Sequence, residues 1–460
     1  MKSTLVVLVV GLTPSLIGKH TPNLKRLAAS GGMRPLTTVL PAVTCTAQST
    51  LLTGLMPSGH GAVANGWYFR DLSEVWLWRQ SNRLIGGEKI WEAGRKRDAA
   101  FTCAKMFWWY NMYSSADWSA TPRPIYCADG RKIPDHYAHP SQLRDELDAK
   151  LGRFPLFKFW GPATDITSSK WIAGSTEHVM ATRDPTLTLS YLPHLDYDIQ
   201  RYGPDLSHPA VQTSLEEVDA VVGGLIAAAE RDGRSVIVVS EYGITPVSDA
   251  IHINRAFRQA GLLAVRDELG HELLDAGASR AFAVSDHQVA HVYVRDPADT
   301  SSVKSLLESL DGVEVVLDAD GKRENGLDHE RSGELVAVSR ADRWFSYYYW
   351  LDDDHAPDFA RLVEIHRKPG YDPVELFVDP AIRHPKLAVG WRLAKRAIGM
   401  RSLLDVISLK DVKLVKGSHG RLTEDPNDGP LVMSSRGDLL PEGAVAATDF
   451  KELVLEHVFG

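Results

Sequence analysis

Short apolar runs rich in β-branched residues alternate along the chain with longer stretches whose apolar positions recur at helical spacing. That alternation predicts a parallel sheet covered by helices on both faces. Leu5 to Val10 reads as a first strand closed by a turn at Gly11. Lys2 ahead of this apolar run also resembles the start of a secretory leader, but the β-branched content and the lack of a nearby small-x-small cleavage site favour the strand. A helix is expected next, with Thr21 as its cap, Pro22 in its first turn and Gly31 and Gly32 past its end. Leu215, Val218, Val222, Leu225 and Ala229 predict another helix, ended by Gly233 and followed by a strand from Ser235 to Ser240 that is buried on both faces. The expected class is therefore α/β, a doubly wound and mostly parallel sheet. Ligands of such sheets bind beyond the carboxyl ends of the strands, so Gly11, Glu241 and Tyr242 stand where chemistry is expected.

Residues 261–404 break this pattern. Alternating runs such as His291–Val294 and Leu335–Val338, and the aromatic cluster Trp344–Trp350, predict an inserted α+β cap lobe between core segments 1–260 and 405–460. Nine of the twelve tryptophans lie between Trp67 and Trp171, with Phe107-Trp108-Trp109-Tyr110 at their centre. These indoles either line a pocket or pack a Pro- and Gly-rich loop, and the pattern leaves both open. No stretch approaches the roughly 20 uninterrupted apolar residues of a membrane span. The 460 residues carry 51 basic and 59 acidic side chains, a formal charge of −8, with no basic stripe, which argues against nucleic acid as a partner. Three cysteines, Cys45, Cys103 and Cys127, without CxxC spacing fit reduced thiols and a cytoplasmic location.

The segment Pro41–Gly54 is a hydroxyl-rich loop running into a short helix. It sets Thr44 and Thr46 where unpaired N–H groups and the helix dipole favour a phosphate-like anion, although Ser and Thr are also common caps. The order Pro-x-x-Thr, Thr-Leu-Leu-Thr-Gly-Leu-Met-Pro and Gly-His-Gly resembles the nucleophile segment of the alkaline phosphatase superfamily, in its nucleotide pyrophosphatase/phosphodiesterase and phosphonoacetate hydrolase branch. Tyr191-Leu-Pro-His-Leu-Asp196 with Arg201-Tyr-Gly-Pro204, Val238-Val-Ser-Glu-Tyr-Gly243, and Gly417-Ser-His-Gly-Arg-Leu-Thr-Glu424 are similar to three further segments of that family, in the family's order.

The resemblance implies a threonine nucleophile at Thr44 and a centre of two divalent metals, usually zinc, held by three aspartates and three histidines. This chain departs from that set. Val10 stands for an aspartate, Gln200 for a histidine, and Glu241-Tyr242 for an Asp-His pair, while Thr44, Asp196 and His419 keep the expected types. The implied remainder is one divalent ion (Zn²⁺, Mn²⁺ or Mg²⁺) on Asp196, Gln200, Glu241 and His419, with Tyr242 donating to the phosphoryl group; a pocket that holds no metal is the alternative. The expected activity is hydrolysis or transfer at a phosphodiester, pyrophosphate or phosphonate of a small phosphorylated metabolite. The competing expectation is a pseudoenzyme that binds such a metabolite, or a partner protein, without turnover.

Other positions offer substitutes. His194, Asp196 and Asp198 alternate and would point to one side of an extended segment, making His194 and Asp198 replacement ligands. In the lobe, Asp353, His355, Asp358 and His366 offer further carboxylates and imidazoles, and Arg367 and Lys368 a clamp for an anion, against the plainer reading of a solvated turn at Pro369-Gly370. Cys45 reads as a small buried thiol and His60 as a turn residue. Pro385 to Met400 sets Leu387, Trp391, Ala394 and Ile398 against Lys386, Arg392, Lys395 and Arg396. This is expected to be a surface helix of a soluble domain rather than a membrane-contacting one, and a homodimer stays open.

Overall fold

The apolar run at the start is the middle of a sheet. In the computed structural model, which describes residues 1–397, 400 and 402–460, strand β1 (Thr4–Val9) is buried at every position. It pairs in parallel with β6 (Leu187–Leu192) on one side and with β7 (Ser235–Val239) on the other. β-branched and aliphatic residues occupy both faces because helices cover both. Outward from β6 lie β3 (Cys103–Met106), β4 (Trp118–Pro122) and β5 (His136–His139). Outward from β7 lie β8 (Leu431–Ser434), β2 (Gly32–Thr37) and β9 (Val445–Ala446). The nine strands run in one direction except β5 and β8. A doubly wound, mostly parallel sheet is thus present, with one antiparallel strand inside it that the sequence pattern did not announce.

The helices that matter most to the sheet are α1 (Pro22–Ser30), α2 (Thr44–Thr53), α3 (Thr167–Arg183), α4 (His194–Tyr202) and α5 (Pro209–Arg231). The predicted stripe on α5, from Leu215 to Ala229, is buried, and Gly233 (φ +67°) ends the connection to β7. The expected Thr21 cap is not made: Thr21 Oγ1 instead accepts from Gly18 N at 2.8 Å. The start of α1 is capped from α5, where the Asp219 carboxylate accepts from Asn23 N (3.1 Å), Leu24 N (2.9 Å) and Asn23 Nδ2 (2.8 Å). An acidic group there also meets the positive end of the helix dipole.

The chain divides into two compact units, one of residues 1–64, 79–245 and 422–460, the other of 65–78 and 246–421. The expected lobe 261–404 lies wholly inside the second unit, which extends past both of its bounds and takes in a distant hairpin. The second unit contains an antiparallel four-stranded sheet in the order Ala281–Asp286, Val289–Val294, Leu335–Ser339, Val313–Leu317. The two alternating runs read from the sequence are neighbours there, with His291 opposite Val336. Trp344, Phe345, Tyr347, Tyr348, Tyr349 and Trp350 are completely buried in the same unit. In the first unit Phe107, Trp108, Trp109 and Tyr110 are buried too, so this aromatic cluster is packing and not an open pocket wall. No helix among the described residues is long and apolar enough to cross a membrane.

Candidate active site

β7, β1 and β6 are adjacent, so the residues following each of them come out side by side at one edge of the sheet. After β1 come Val10, which is buried, and Gly11 at φ +71°, where a Cβ would come within 3.1 Å of Ile244 Cδ1. After β6 the chain enters α4, which carries Asp196. After β7 come Ser240, Glu241 and Tyr242, then Gly243, where a Cβ would lie 1.7 Å from the carbonyl oxygen of Asp428. Only glycine lets the late segment approach this loop so closely.

Thr44 is the first residue of α2, preceded by extended Val43, and the helix is buried along its whole length. Its Oγ1 lies 3.2 Å from the Tyr242 hydroxyl, with either group able to donate. Thr46 is also buried and its Oγ1 has no hydrogen-bond partner. On a helix residues two apart project about 200° from each other, so Thr44 and Thr46 point to different sides of α2. Thr44 stands at the positive end of the dipole.

Asp196 and Glu241 supply two deeply buried carboxyl groups. Burial pushes Asp196 up to about 7, against the lowering effect of hydrogen bonds from Gln200 and Tyr242. Burial likewise pushes Glu241 up to about 8, opposed by Gln48 and Thr44, raised further by the charge of Asp196 and opposed again by Tyr242. Burial and the neighbouring carboxylates hold the Tyr242 phenol well above its ordinary value, so it remains a neutral donor. Asp196 Oδ1 and both oxygens of Glu241 are buried without a partner at hydrogen-bonding geometry. Gln200, one turn after Asp196 on α4, donates from Nε2 to Asp196 Oδ2 at 2.7 Å. It therefore orients the Asp196 carboxylate through its amide nitrogen.

The extended segment assumed for residues 194–198 is helical, which cancels the shared side of His194, Asp196 and Asp198. His194 Nε2 contacts Glu217 at 3.0 Å. Asp198 is held by Arg201 at 2.9 Å and by the Ser214 hydroxyl at 2.5 Å. His419 belongs to the other compact unit, where its ring lies 3.6 Å from that of His287. In that unit Arg367 pairs with Asp358 at 2.8 Å. Lys368 is buried between Asp372 and Glu375, 2.7 Å from each, and so is committed to an internal ion triad and unavailable as an anion clamp. Asp353 accepts from Trp350 Nε1, His355 is exposed, and His366 Nδ1 lies 3.3 Å from the Leu77 carbonyl.

Two residues of the site were missed. Gln48 accepts from Trp109 N at 2.8 Å through Oε1, and its side chain faces Glu241. It is four residues after Thr44 on α2, a spacing that places both on one face and was readable. Tyr191, buried on β6, lies in the electrostatic reach of Glu241 and Asp196, a placement that needed the strand register.

Among the described residues no three His, Cys, Asp or Glu side chains converge as a metal cluster. With Val10 apolar and Tyr242 neutral, the donors do not fit the two-ion set that the resemblance implied. The orphaned oxygens of Asp196 and Glu241 are hard donors of the kind a divalent cation such as Mg²⁺ or Mn²⁺ takes.

The fold resembles that of phosphonoacetate hydrolase from Sinorhizobium meliloti 1021 in complex with phosphonoformate, with a TM-score of 0.62 and 17% identity, covering 99% of this chain and 96% of that one. It also resembles an inactive threonine-to-alanine variant of murine ectonucleotide pyrophosphatase/phosphodiesterase 5 in complex with AMP, with a TM-score of 0.59 and 15% identity, covering 100% and 95%. An uncharacterized pyrophosphatase/phosphodiesterase of Schizosaccharomyces pombe is 25% identical over 241 residues, which are 50% of this chain and 42% of that protein's length. The type I phosphodiesterase/nucleotide pyrophosphatase family matches residues 4–372, a span that includes Thr44, Asp196, Glu241 and Tyr242. This chain belongs to that family, within the alkaline phosphatase superfamily.

Proposed function

We propose that the protein cleaves or transfers a phosphodiester, pyrophosphate or phosphonate group of a small metabolite, with Thr44 as the nucleophile. The observation that carries this reading is Thr44 Oγ1 at the N-terminus of α2, 3.2 Å from a neutral Tyr242 phenol and close to two buried carboxyl groups. In the reaction Thr44 Oγ forms a bond to phosphorus, and the bond from phosphorus to the leaving group breaks in line with it. The N-terminus of α2 and the Tyr242 hydroxyl favour the charge on the phosphoryl oxygens. Asp196 and Glu241 are the acceptors in the site for the Thr44 proton, displaced toward neutrality by burial. Water then releases the phosphoryl group from Thr44. Asp196, oriented by Gln200, and Glu241 would hold a single divalent cation, which when bound neutralises charge on the phosphoryl group. The inactive threonine-to-alanine phosphodiesterase and the phosphonate ligands of the structural relatives support both the nucleophile and the substrate class.

The test compares the parent and Thr44→Ala on an aryl phosphodiester, a nucleotide pyrophosphate and phosphonoacetate, each with Zn²⁺, Mn²⁺ or Mg²⁺, while AMP binding is followed by calorimetry. Turnover lost in Thr44→Ala with AMP binding kept supports the proposal. A second reading, binding without turnover, is favoured by buried Val10 where the resemblance places a metal-ligating aspartate. AMP binding by a parent that turns over none of these substrates would establish it.

A further inference from the structure

Helix α6 (Pro385–Ala397), in the second unit, carries its large apolar residues toward solvent. Leu387 is 72% exposed and Trp391 64%, and Ala394 completes the same i, i+4, i+7 stripe and is exposed as well. The half-buried positions are Ala388, Val389, Arg392 and Lys395. The sequence pattern predicts a surface helix; in the structure its apolar stripe faces outward. Ile398, which would extend it, lies outside the described residues.

The charged residues that the helix segment itself carries beside the stripe are basic. Residues 380–395 include Arg383, Lys386, Arg392 and Lys395 and no acidic residue, in a chain whose net charge is −8. Arg392 is paired with Asp405 at 2.5 Å, Arg383 and Lys386 are exposed, and Lys395 Nζ lies 5.3 Å from the centre of the Trp391 ring. A lone exposed leucine is ordinary. Leucine and tryptophan one helical turn apart, bordered by cations, form an apolar face beside a basic one.

We propose that α6 docks on an anionic lipid bilayer, lying in the interface with Leu387 and Trp391 in the acyl boundary and Arg383, Lys386 and Lys395 among the headgroups. The helix spans about 20 Å, enough for an in-plane contact and too little to cross. Charge decides among occupants. A second copy seated face to face would set like charges against each other, whereas an anionic surface satisfies both the stripe and its border. Indole and a neighbouring ammonium also suit the headgroup region.

The test is co-sedimentation of the full chain with vesicles of phosphatidylcholine alone or mixed with phosphatidylglycerol, at low and high salt. The expected result is binding to the anionic vesicles that weakens with salt and is at least about tenfold weaker on neutral ones. The double variant Leu387→Gln/Trp391→Gln, at exposed positions, should lose about tenfold or more, and Lys386→Glu/Lys395→Glu a similar factor. Circular dichroism of each variant checks that the chain is folded. Absence of binding to anionic vesicles at low salt overturns the proposal, as does equal binding by the parent and the apolar double variant. Self-association that depends on Trp391, in place of vesicle binding, would assign the face to a second copy and also overturn it.

Discussion

Lys105 is wholly buried on β3, and its ammonium donates to the carbonyls of Trp109 (2.7 Å) and Tyr110 (3.0 Å). Those carbonyls belong to a turn in which Phe107 (φ +66°) and Tyr110 (φ +53°) adopt left-handed conformations that non-glycine residues seldom hold without support. The same turn presents Trp109 N to Gln48, which faces Glu241. Burial pushes Lys105 from 10.5 down to about 7. Between those two values the unfolded chain holds a proton that the folded chain has released. Stability therefore rises with pH across the window and is lost as pH falls toward 7. At about 1.4 kcal/mol per unit the whole window is worth roughly 5 kcal/mol, and the part from about pH 7 to 9 roughly 2 kcal/mol. Lys105→Met keeps the apolar stem and removes the titration. Urea unfolding followed by tryptophan fluorescence at a series of pH values should show the parent gaining roughly 2 kcal/mol on the variant over that interval. Parallel curves would refute the reasoning, because they would mean that Lys105 stays charged in the folded protein.

Three further outcomes follow from the geometry. Tyr242→Phe removes the hydroxyl beside Thr44 and should lower kcat about tenfold with little change in KM, read from steady-state kinetics on the best substrate. Asp219→Ala leaves the start of α1 without the acceptor that serves Asn23 and Leu24, and should cost about 2 kcal/mol in chemical denaturation. Lys368→Met strands Asp372 and Glu375 as buried acids without a cation. It should cost about 3–5 kcal/mol at neutral pH, with part of the loss recovered under mildly acidic conditions, because burial already pushes the Glu375 carboxyl up and favours its protonated form.

The parts of the fold that were legible in the sequence are those with a local cause. β1 and β7 announce themselves by β-branched runs between turn residues, α5 by its apolar stripe, and Thr44 by a helix start rich in hydroxyls. What stayed hidden depends on partners far along the chain. The cap of α1 comes from Asp219, almost two hundred positions away, so the local Thr21 signal pointed to the wrong group. Helix at 194–202 defeats a period-two reading, because three polar residues two apart fit a strand and a helix start equally well over so short a span. The hydrogen bond that Gln200 donates to Asp196 follows from both lying one turn apart on a helix, which the period-two reading did not provide. The similarity of the segment around His419 implied a ligand there, and in the structure its ring packs beside that of His287 in the second compact unit. Nothing local distinguishes an outward from an inward apolar stripe on α6, since that depends on what lies beneath the helix.

The position of β8 bears on how the chain is made. Leu431–Ser434 lies between β2 and β7, pairing Ser434 with both Gly32 and Ile237, so these two strands face each other across a gap filled by residues synthesised well after both. Until residue 434 has emerged from the ribosome, β2 and β7 each have an exposed edge of unpaired backbone groups. The sheet can close only after residues 431–434 have been translated, and until then the unpaired edges of β2 and β7 are templates for pairing with other chains. Chaperone cover during synthesis, and slow release at low temperature, should therefore raise the yield of folded protein more than any change to the already buried central strand β1.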